Sequence, residues 1–306
     1  MLRIGGVPAS GFNDADVHER ARLMGAIADA GLDGVLQADH VSFLDGGGTD
    51  AIVMMAGLSG AHPTLGLHIG VYLLPLRHPV TVARSLVTLD QLAPGRVVFG
   101  VGIGGEDRHE VEVCGVDPRT RGRRCDASLE IVCALLSGDT VTHRDEFFDL
   151  TDCRIRPTPA TPIPILVGGR SDAAIRRAGR FGDGWLGAWC SPRRFEQAAA
   201  TCTDVADAAG RTVTWRHKYQ PWVGLGATRE DARAHVARAM QRFYGLPFEA
   251  FEKYTPYGTA ADVAEALAPY VRAGVHEFDM SLCGPDADTA IEMAGDVKRL
   301  LAAESD

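Results

Sequence analysis

The sequence has few of the features that mark secreted, metal-binding or membrane proteins. Its seven cysteines are an odd number and never form a C-x-x-C pair, so we expect reduced thiols in a cytoplasmic protein. No H-E-x-x-H or Cys/His cluster indicates a metal, and no G-x-S-x-G indicates a serine nucleophile. No apolar run approaches the roughly 18 residues that span a bilayer, and the N-terminal residues do not resemble a signal peptide.

Positive charge is also scarce. The chain has 31 Lys and Arg against 40 Asp and Glu, which gives a formal net charge of −9. Nucleic-acid binders neutralise phosphates with an excess of basic residues, so this balance argues against that class. The partner that we expect is a small-molecule substrate, with no nucleic acid and no membrane. The 306 residues, 46% of them hydrophobic, suffice for two small domains or for one large α/β barrel.

What the chain does have is a regular alternation of apolar, β-branched runs with helical patterns. Each run is followed by helical apolar spacing, such as that of Val17, Ala21, Met24 and Ala28 after the first. Eight such pairs without a linker predict a single (β/α)8 TIM barrel over residues 1–306, with a doubly wound sheet as the competing fold. The strands are expected at 2–7, 33–38, 64–74, 95–102, 163–168, 182–189, 212–224 and 275–282, and insertions at about 105–120, 139–160 and 241–258.

The segment GVGIGG at residues 100–105 matches the G-x-G-x-x-G of dinucleotide-binding folds. That fingerprint belongs to the first strand of a βαβ unit, with an acidic residue ending the second strand. Here three strand–helix units come first, and Asp126, at about the right distance, lies in a helical pattern. The context argues against a dinucleotide site. A glycine-rich turn after a barrel strand instead lets a flat ring approach the backbone.

The residues that follow the strands are the candidates for function, because barrel enzymes build their sites there. Among them GGRS (168–171) is the best candidate for a phosphate. Two glycines free their amides, Ser171 adds a hydroxyl, and the N-terminus of a helix follows. Arg170, Arg176 and Arg177 add positive charge nearby. A tight turn with an ordinary helix cap is the alternative interpretation.

Several segments together resemble the bacterial luciferase-like monooxygenase superfamily, and within it the coenzyme F420-dependent oxidoreductases. They run in family order over about residues 1–190: ADH (38–40), LLPLRHP (73–79), LDQLAPGRVVFGVGIGG (89–105), RGRRCDASLEIVCALLSG (121–138), FFDL (147–150), PIPILVGG (162–169) and AGRFGDGWL (178–186). Ala127, where many relatives carry Glu, and Asp145, where they often carry Gly, depart from the pattern.

The resemblance implies a luciferase-type (β/α)8 barrel that holds a deazaflavin or flavin ring at the C-terminal mouth. It also implies a non-prolyl cis peptide between Gly70 and Val71 behind the ring, and it agrees with a phosphate on GGRS. The cofactor contacts expected on these grounds are Asp39, Gly70, Val71, Gly102, Gly104, Gly105, Gly168, Gly169, Arg170 and Ser171. A homodimer or larger homo-oligomer is the family expectation.

Three functions remain open. The first is an F420-dependent oxidoreductase that moves hydride between the coenzyme and a small organic substrate with a C=C, C=N, C=O or alcohol group. The second is an FMN-dependent monooxygenase that receives reduced flavin from a partner reductase. The third is a barrel that has lost turnover.

His40 is the first candidate for a proton donor or acceptor, because imidazole titrates near neutral pH; a structural histidine is the alternative. Glu106 is the second, with a solvated glutamate as its alternative. Asp39 is expected to fix the tautomer of His40 or to bond backbone amides. The aromatic residues expected to wall the substrate pocket are Phe12, Phe43, Tyr72, Trp189 and Trp222. The aromatic segment 242–254 is a candidate lid or subunit contact, and the basic run 119–124 is a candidate contact for an anionic tail.

Overall fold

The computed structural model describes residues 2–105 and 107–303. Its strands are β1 (Arg3–Pro8), β2 (Gly34–Gln37), β3 (Gly66–Leu73), β4 (Val97–Gly102), β5 (Val141–Arg144), β6 (Asp149–Cys153), β7 (Ile165–Gly168), β8 (Gly184–Gly187), β9 (Lys218–Tyr219), β10 (Trp222–Leu225), β11 (Tyr257–Gly258) and β12 (Glu277–Cys283). Its α-helices are α1 (Val17–Asp29), α2 (Ala51–Leu58), α3 (Pro79–Leu92), α4 (Arg108–Val113), α5 (Arg121–Ser137), α6 (Asp172–Phe181), α7 (Pro192–Ala208), α8 (Arg229–Tyr244), α9 (Ala260–Arg272) and α10 (Ala287–Ala303).

The parallel strands close into a barrel in the order β1-β2-β3-β4-β7-β8-β9/β10-β12. Closure comes from β12, which pairs with β1 from Arg3 opposite Glu277 to Pro8 opposite Leu282. Eight strand positions with helices between them are the (β/α)8 barrel expected from the sequence, and the doubly wound alternative was wrong. Outside the barrel, β5 and β6 form an antiparallel hairpin.

The seventh strand position differs from the prediction. Instead of one strand over 212–224, the structure has two short pieces, β9 and β10, separated by Gln220 and Pro221. Proline has no N–H to give to the ladder and is found in sheets mainly at edges and irregularities. The pieces still complete the wall, because β9 pairs with β8 and both pair with β12.

The main apolar core lies between the barrel and its surrounding helices, where the helices bury residues such as Leu23, Met24 and Ile27 of α1. A separate buried group is charged. Lys218 Nζ lies 2.8 Å from Asp279 Oδ2 and 2.9 Å from His68 Nδ1, and all three side chains are almost fully buried. Although burial opposes it, His68 and Lys218 hold the pKa of Asp279 below its usual range. This cluster lies below the mouth and joins β3, β9 and β12.

Candidate functional site

The bulge between Gly70 and Val71 forms the floor of the barrel mouth. The peptide bond between them is cis, which confirms the prediction. The Gln220 amide donates to Gly70 O at 3.0 Å. A methyl group built on Gly102 would lie 2.4 Å from Val71 Cγ2, and one on Gly168 would lie 2.7 Å from Val71 Cγ1. The two glycines therefore make room for the Val71 side chain, a role that the sequence pattern had not suggested.

Asp39 ties this floor to the end of β2. Its side chain is fully buried and receives both Arg77 guanidinium nitrogens, at 2.6 and 2.8 Å. It also accepts from the amides of Leu73 and Ala51. Burial raises the pKa of Asp39, while Arg77 and the two amides oppose that shift. Of the two roles expected for Asp39, it bonds backbone amides; His40 has a different carboxylate partner.

That partner is Glu110 of α4. His40 Nδ1 lies 3.2 Å from Glu110 Oε1 and 3.1 Å from Oε2. Glu110 Oε1 also accepts from the amides of Val41 and Ser42, at 2.7 and 3.2 Å. The Glu110 side chain is 3% exposed and that of His40 is 17% exposed, so the pair presents the imidazole to the mouth and keeps the carboxylate behind it.

A second carboxylate of the same region fixes the loop after β2. Asp107 caps α4 and accepts from the amide of Leu44 at 2.8 Å. That hydrogen bond is the largest reason why the pKa of Asp107 lies below its usual value. The loop that carries His40 is thus held from one side by both Asp107 and Glu110.

Aromatic rings surround His40 and extend across the mouth. Phe43 stacks on the imidazole with centroids 4.2 Å apart, and Phe243 at the end of α8 lies 5.7 Å from Phe43. Phe243 also lies 5.6 Å from Trp222. Tyr244 continues the contact to Trp222 at 5.8 Å and to Trp189 at 5.3 Å. We call these five aromatic residues the mouth cluster: Phe43, Trp189, Trp222, Phe243 and Tyr244.

The cluster includes three of the five aromatic residues expected to wall the pocket. Phe12 and Tyr72 are instead buried in the main core, 2% and 4% exposed. Tyr72 packs on Phe99, and Arg77 lies over its ring. Phe243, which the sequence offered only within a candidate lid, takes a central place. Glu106 lies outside the described residues.

The GGRS segment leads into α6 as expected. Ser171 is the N-cap and accepts from the Ala174 amide at 3.2 Å. The guanidinium of Arg170 lies over the ring of Trp189. Arg177 does not add its charge here, because it is buried against Asp126 at 2.5 Å. The loop therefore has the N-terminus of α6, the Ser171 hydroxyl and the Arg170 guanidinium, and Arg176 is exposed in the second turn of the helix.

A basic cavity of about 450 Å³ opens beside the glycine turn. Its lining includes Gly105, Arg108, Arg119 and Arg121. Arg121 opens α5 and has no carboxylate partner within the described part of the chain. Its Nε is buried without a hydrogen-bond partner there, and a methyl built on Gly105 would lie 3.3 Å from its Nη2. Its Nη1 donates to Pro118 O at 2.9 Å. Arg121 is thus a cation beside open space without a carboxylate partner among the described residues, which the prediction for 119–124 had not resolved.

Within residues 2–105 and 107–303, no group of three or more His, Cys, Asp or Glu side chains could hold a metal ion. None of the helices described is long and apolar enough to cross a membrane.

The sequence profile of luciferase-like monooxygenases matches residues 4–255. The chain belongs to this family. An F420-dependent glucose-6-phosphate dehydrogenase of Kineococcus radiotolerans is 32% identical over 306 aligned positions, which cover 89% of this chain and 90% of that protein. Limonene 1,2-monooxygenase of Rhodococcus erythropolis is 31% identical over 61% of this chain and 50% of that enzyme. The chain spans about half the length of several curated relatives that it matches.

The solved structure of an F420-dependent secondary alcohol dehydrogenase, in complex with an F420-acetone adduct, superimposes with a TM-score of 0.83. It covers 98% of this chain and 99% of that one at 19% identity. At that identity the likeness shows the shared barrel fold, which agrees with the closed strand order described above.

Proposed function

We propose that this protein is an F420-dependent oxidoreductase whose barrel mouth holds the deazaflavin ring over Val71. The observation that carries the proposal is the His40–Glu110 pair, which presents a ring nitrogen beside this floor. Hydride transfer to or from an alcohol carbon needs a partner for the hydroxyl proton, and His40 is positioned to be that partner. The relative aligned along nine-tenths of this chain is named as F420-dependent, which supports the choice of coenzyme.

The residues present fit such a coenzyme. Gly102 and Gly168 lack side chains, and the two methyl groups of Val71 occupy the space where their Cβ atoms would lie. Ser171 and the α6 N-terminus offer donors to a phosphate. Beyond them Arg121, whose buried Nε has no hydrogen-bond partner among the described residues, suits further carboxylates or phosphates. When bound, the deazaflavin would supply or accept two electrons as a hydride. This chain would supply binding, orientation and proton exchange.

The aromatic cluster at the mouth points to the substrate class. Phe43, Phe243 and Trp222 offer ring faces beside His40, which suits an apolar, uncharged molecule that carries an alcohol or a carbonyl. We therefore propose a small apolar alcohol or its carbonyl counterpart as the substrate.

The second candidate is an FMN-dependent monooxygenase, which the match to limonene 1,2-monooxygenase favours. Dependence on oxygen separates the two. The purified protein with oxidised F420 is mixed with a panel of apolar secondary alcohols, with and without oxygen, and coenzyme reduction is followed spectroscopically. We expect reduction at equal rates in both atmospheres. Substrate oxidation only with reduced FMN and oxygen would overturn the proposal and establish the second candidate.

A further inference from the structure

Glu110 meets His40 at one defined ring nitrogen. Both carboxylate oxygens lie within 3.2 Å of His40 Nδ1. An ionised carboxylate only accepts hydrogen bonds, so Nδ1 must carry the hydrogen in this contact. In a neutral imidazole the other nitrogen, Nε2, then has a free lone pair.

Backbone hydrogen bonds also fix the position of the Glu110 carboxylate. Val41 N and Ser42 N donate to Oε1 of Glu110, so with Nδ1 three N–H groups converge on one buried group. All three groups are donors, so the Glu110 carboxylate acts as the acceptor in each of these contacts. Phe43 fixes the imidazole from its face, at 4.2 Å. Nε2 has no hydrogen-bond partner among residues 2–105 and 107–303, and the side chain is partly exposed at the mouth.

We infer that Glu110 is a positioning residue that holds neutral His40 as the Nδ1–H tautomer and thereby makes Nε2 the site of proton exchange with substrate. This inference deepens the proposed function and rests on it for the reaction. In alcohol oxidation the substrate O–H bond breaks, and its proton forms the new N–H bond at Nε2. The O–H electron pair becomes the second bond of the carbonyl, while the carbinol C–H pair leaves with its hydrogen to the oxidised deazaflavin.

The positive charge that this transfer creates on the imidazole ring lies opposite Glu110. The carboxylate thus both selects the tautomer and stabilises the product of the proton transfer, as the aspartate of a serine-protease triad does. In the reverse direction the imidazolium gives its proton back from Nε2 and returns to the same Nδ1–H form. One tautomer therefore serves both directions.

The substitution Glu110→Gln tests this with almost no change in volume. Because Val41 and Ser42 both donate to Oε1, the amide carbonyl takes that place and the NH₂ group takes the place of Oε2, 3.1 Å from Nδ1. The NH₂ group lies nearer to Nδ1, at 3.1 Å, than the carbonyl, at 3.2 Å, and has no other role at that place. We therefore expect it to donate to Nδ1 and His40 to switch to the Nε2–H tautomer. The matched control is Glu112→Gln, on the same helix but exposed and paired with Arg108.

The readout is a long-range ¹H–¹⁵N correlation spectrum of ¹⁵N-histidine-labelled protein without coenzyme, with His40 assigned among the ten histidines through a His40→Gln variant. We expect Nδ1–H in the wild type and in Glu112→Gln, and Nε2–H in Glu110→Gln. An Nε2–H tautomer in the wild type overturns the inference, even if Glu110→Gln does not fold. An unchanged tautomer in a folded Glu110→Gln overturns it too.

Turnover gives a second readout that is separable from the first. With the coenzyme bound equally well, Glu110→Gln should lower kcat for alcohol oxidation by about 10²–10⁴-fold, the range of general-base catalysis, while Glu112→Gln should not. Because the spectrum needs no coenzyme, a protein that shows the predicted tautomers but does not bind F420 would disprove the proposed function and leave the positioning role intact. A tautomer switch with unchanged kcat would contradict the assignment of Nε2 as the exchange site.

Discussion

The packing of Val71 between two glycines predicts a specific response to one added methyl group. In Gly102→Ala the new Cβ would lie 2.4 Å from Val71 Cγ2 and 3.2 Å from Val71 Cβ. The other methyl of Val71 is also packed, because Cγ1 occupies the space that the missing side chain of Gly168 leaves, 2.7 Å from where a Cβ would lie. The floor of the mouth must therefore move, and overpacking of this kind costs about 1–3 kcal/mol.

The size of the thermal effect follows from the chain length. An unfolding entropy of about 2.1 cal/mol/K per residue gives about 0.64 kcal/mol/K for the 306 residues. A loss of about 1–3 kcal/mol then lowers Tm by about 1.5–5 °C. Because Val71 would be pushed into the mouth, binding of F420 should weaken as well.

The assay is a double-mutant cycle of Gly102→Ala and Val71→Ala, read by Tm and by the Kd for F420. Removing two methyl groups in Val71→Ala costs about 1.5 kcal/mol by itself. It also removes the atoms that clash, so the double variant should be more stable than the sum of the two single effects by about 1–2 kcal/mol. Additive effects, or a Gly102→Ala variant with wild-type Tm and Kd, would refute the packing argument.

Three further predictions follow from named contacts. Ser171→Ala and Ser191→Ala each remove an N-cap hydrogen bond of 3.2 Å and should lower the free energy of unfolding by about 0.5–2 kcal/mol. In calorimetric titration only Ser171→Ala should weaken F420 binding, by about tenfold. Equal losses of binding in the two variants would contradict a phosphate at GGRS. Burial holds the pKa of His217 at about 4, and its Nδ1 accepts from the Trp185 amide, so the native state binds this proton less tightly than the unfolded chain. Stability should fall by about 3 kcal/mol as pH drops from about 6.5 to 4, and a His217→Gln variant whose Tm has the same pH slope would count against this. Phe243→Ala should raise KM for an apolar alcohol about tenfold with unchanged F420 binding. The control is Leu300→Ala on α10, where Leu300 is 40% exposed and Phe243 is 37% exposed, and it should leave steady-state kinetics unchanged. An unchanged KM in Phe243→Ala would show that Phe243 does not line the substrate pocket.

The features predicted correctly from the sequence are those encoded over short stretches of chain. Each strand and its following helix have their own periodicity, so the barrel could be counted from end to end. The helix cap at Ser171 depends on a few adjacent residues. The cis peptide at Gly70–Val71 came from the family resemblance and was confirmed. The break in the seventh strand has its local cause in Pro221, which has no N–H to give to a continuous ladder.

The features that were missed are contacts between distant residues. Glu110 lies 70 positions from His40, and Gln220 lies 150 positions from Gly70. The sequence does place Glu110 directly before the apolar Val111 in a short helical pattern, and in the structure both side chains are buried. A single sequence does not say which partner a buried carboxylate meets. The division of the aromatic residues between mouth and core likewise depends on how α8 ends over the barrel.

The central claim is that the mouth holds a deazaflavin rather than a flavin. The most direct test is an equilibrium fluorescence titration of the purified protein with oxidised F420 and, separately, with FMN. We expect micromolar or tighter binding of F420 and weak binding of FMN. F420 affinity should fall in Arg121→Gln but not in Arg123→Gln, whose arginine is exposed and paired with Glu146. Tight binding of FMN with weak binding of F420 would contradict a deazaflavin site at this mouth.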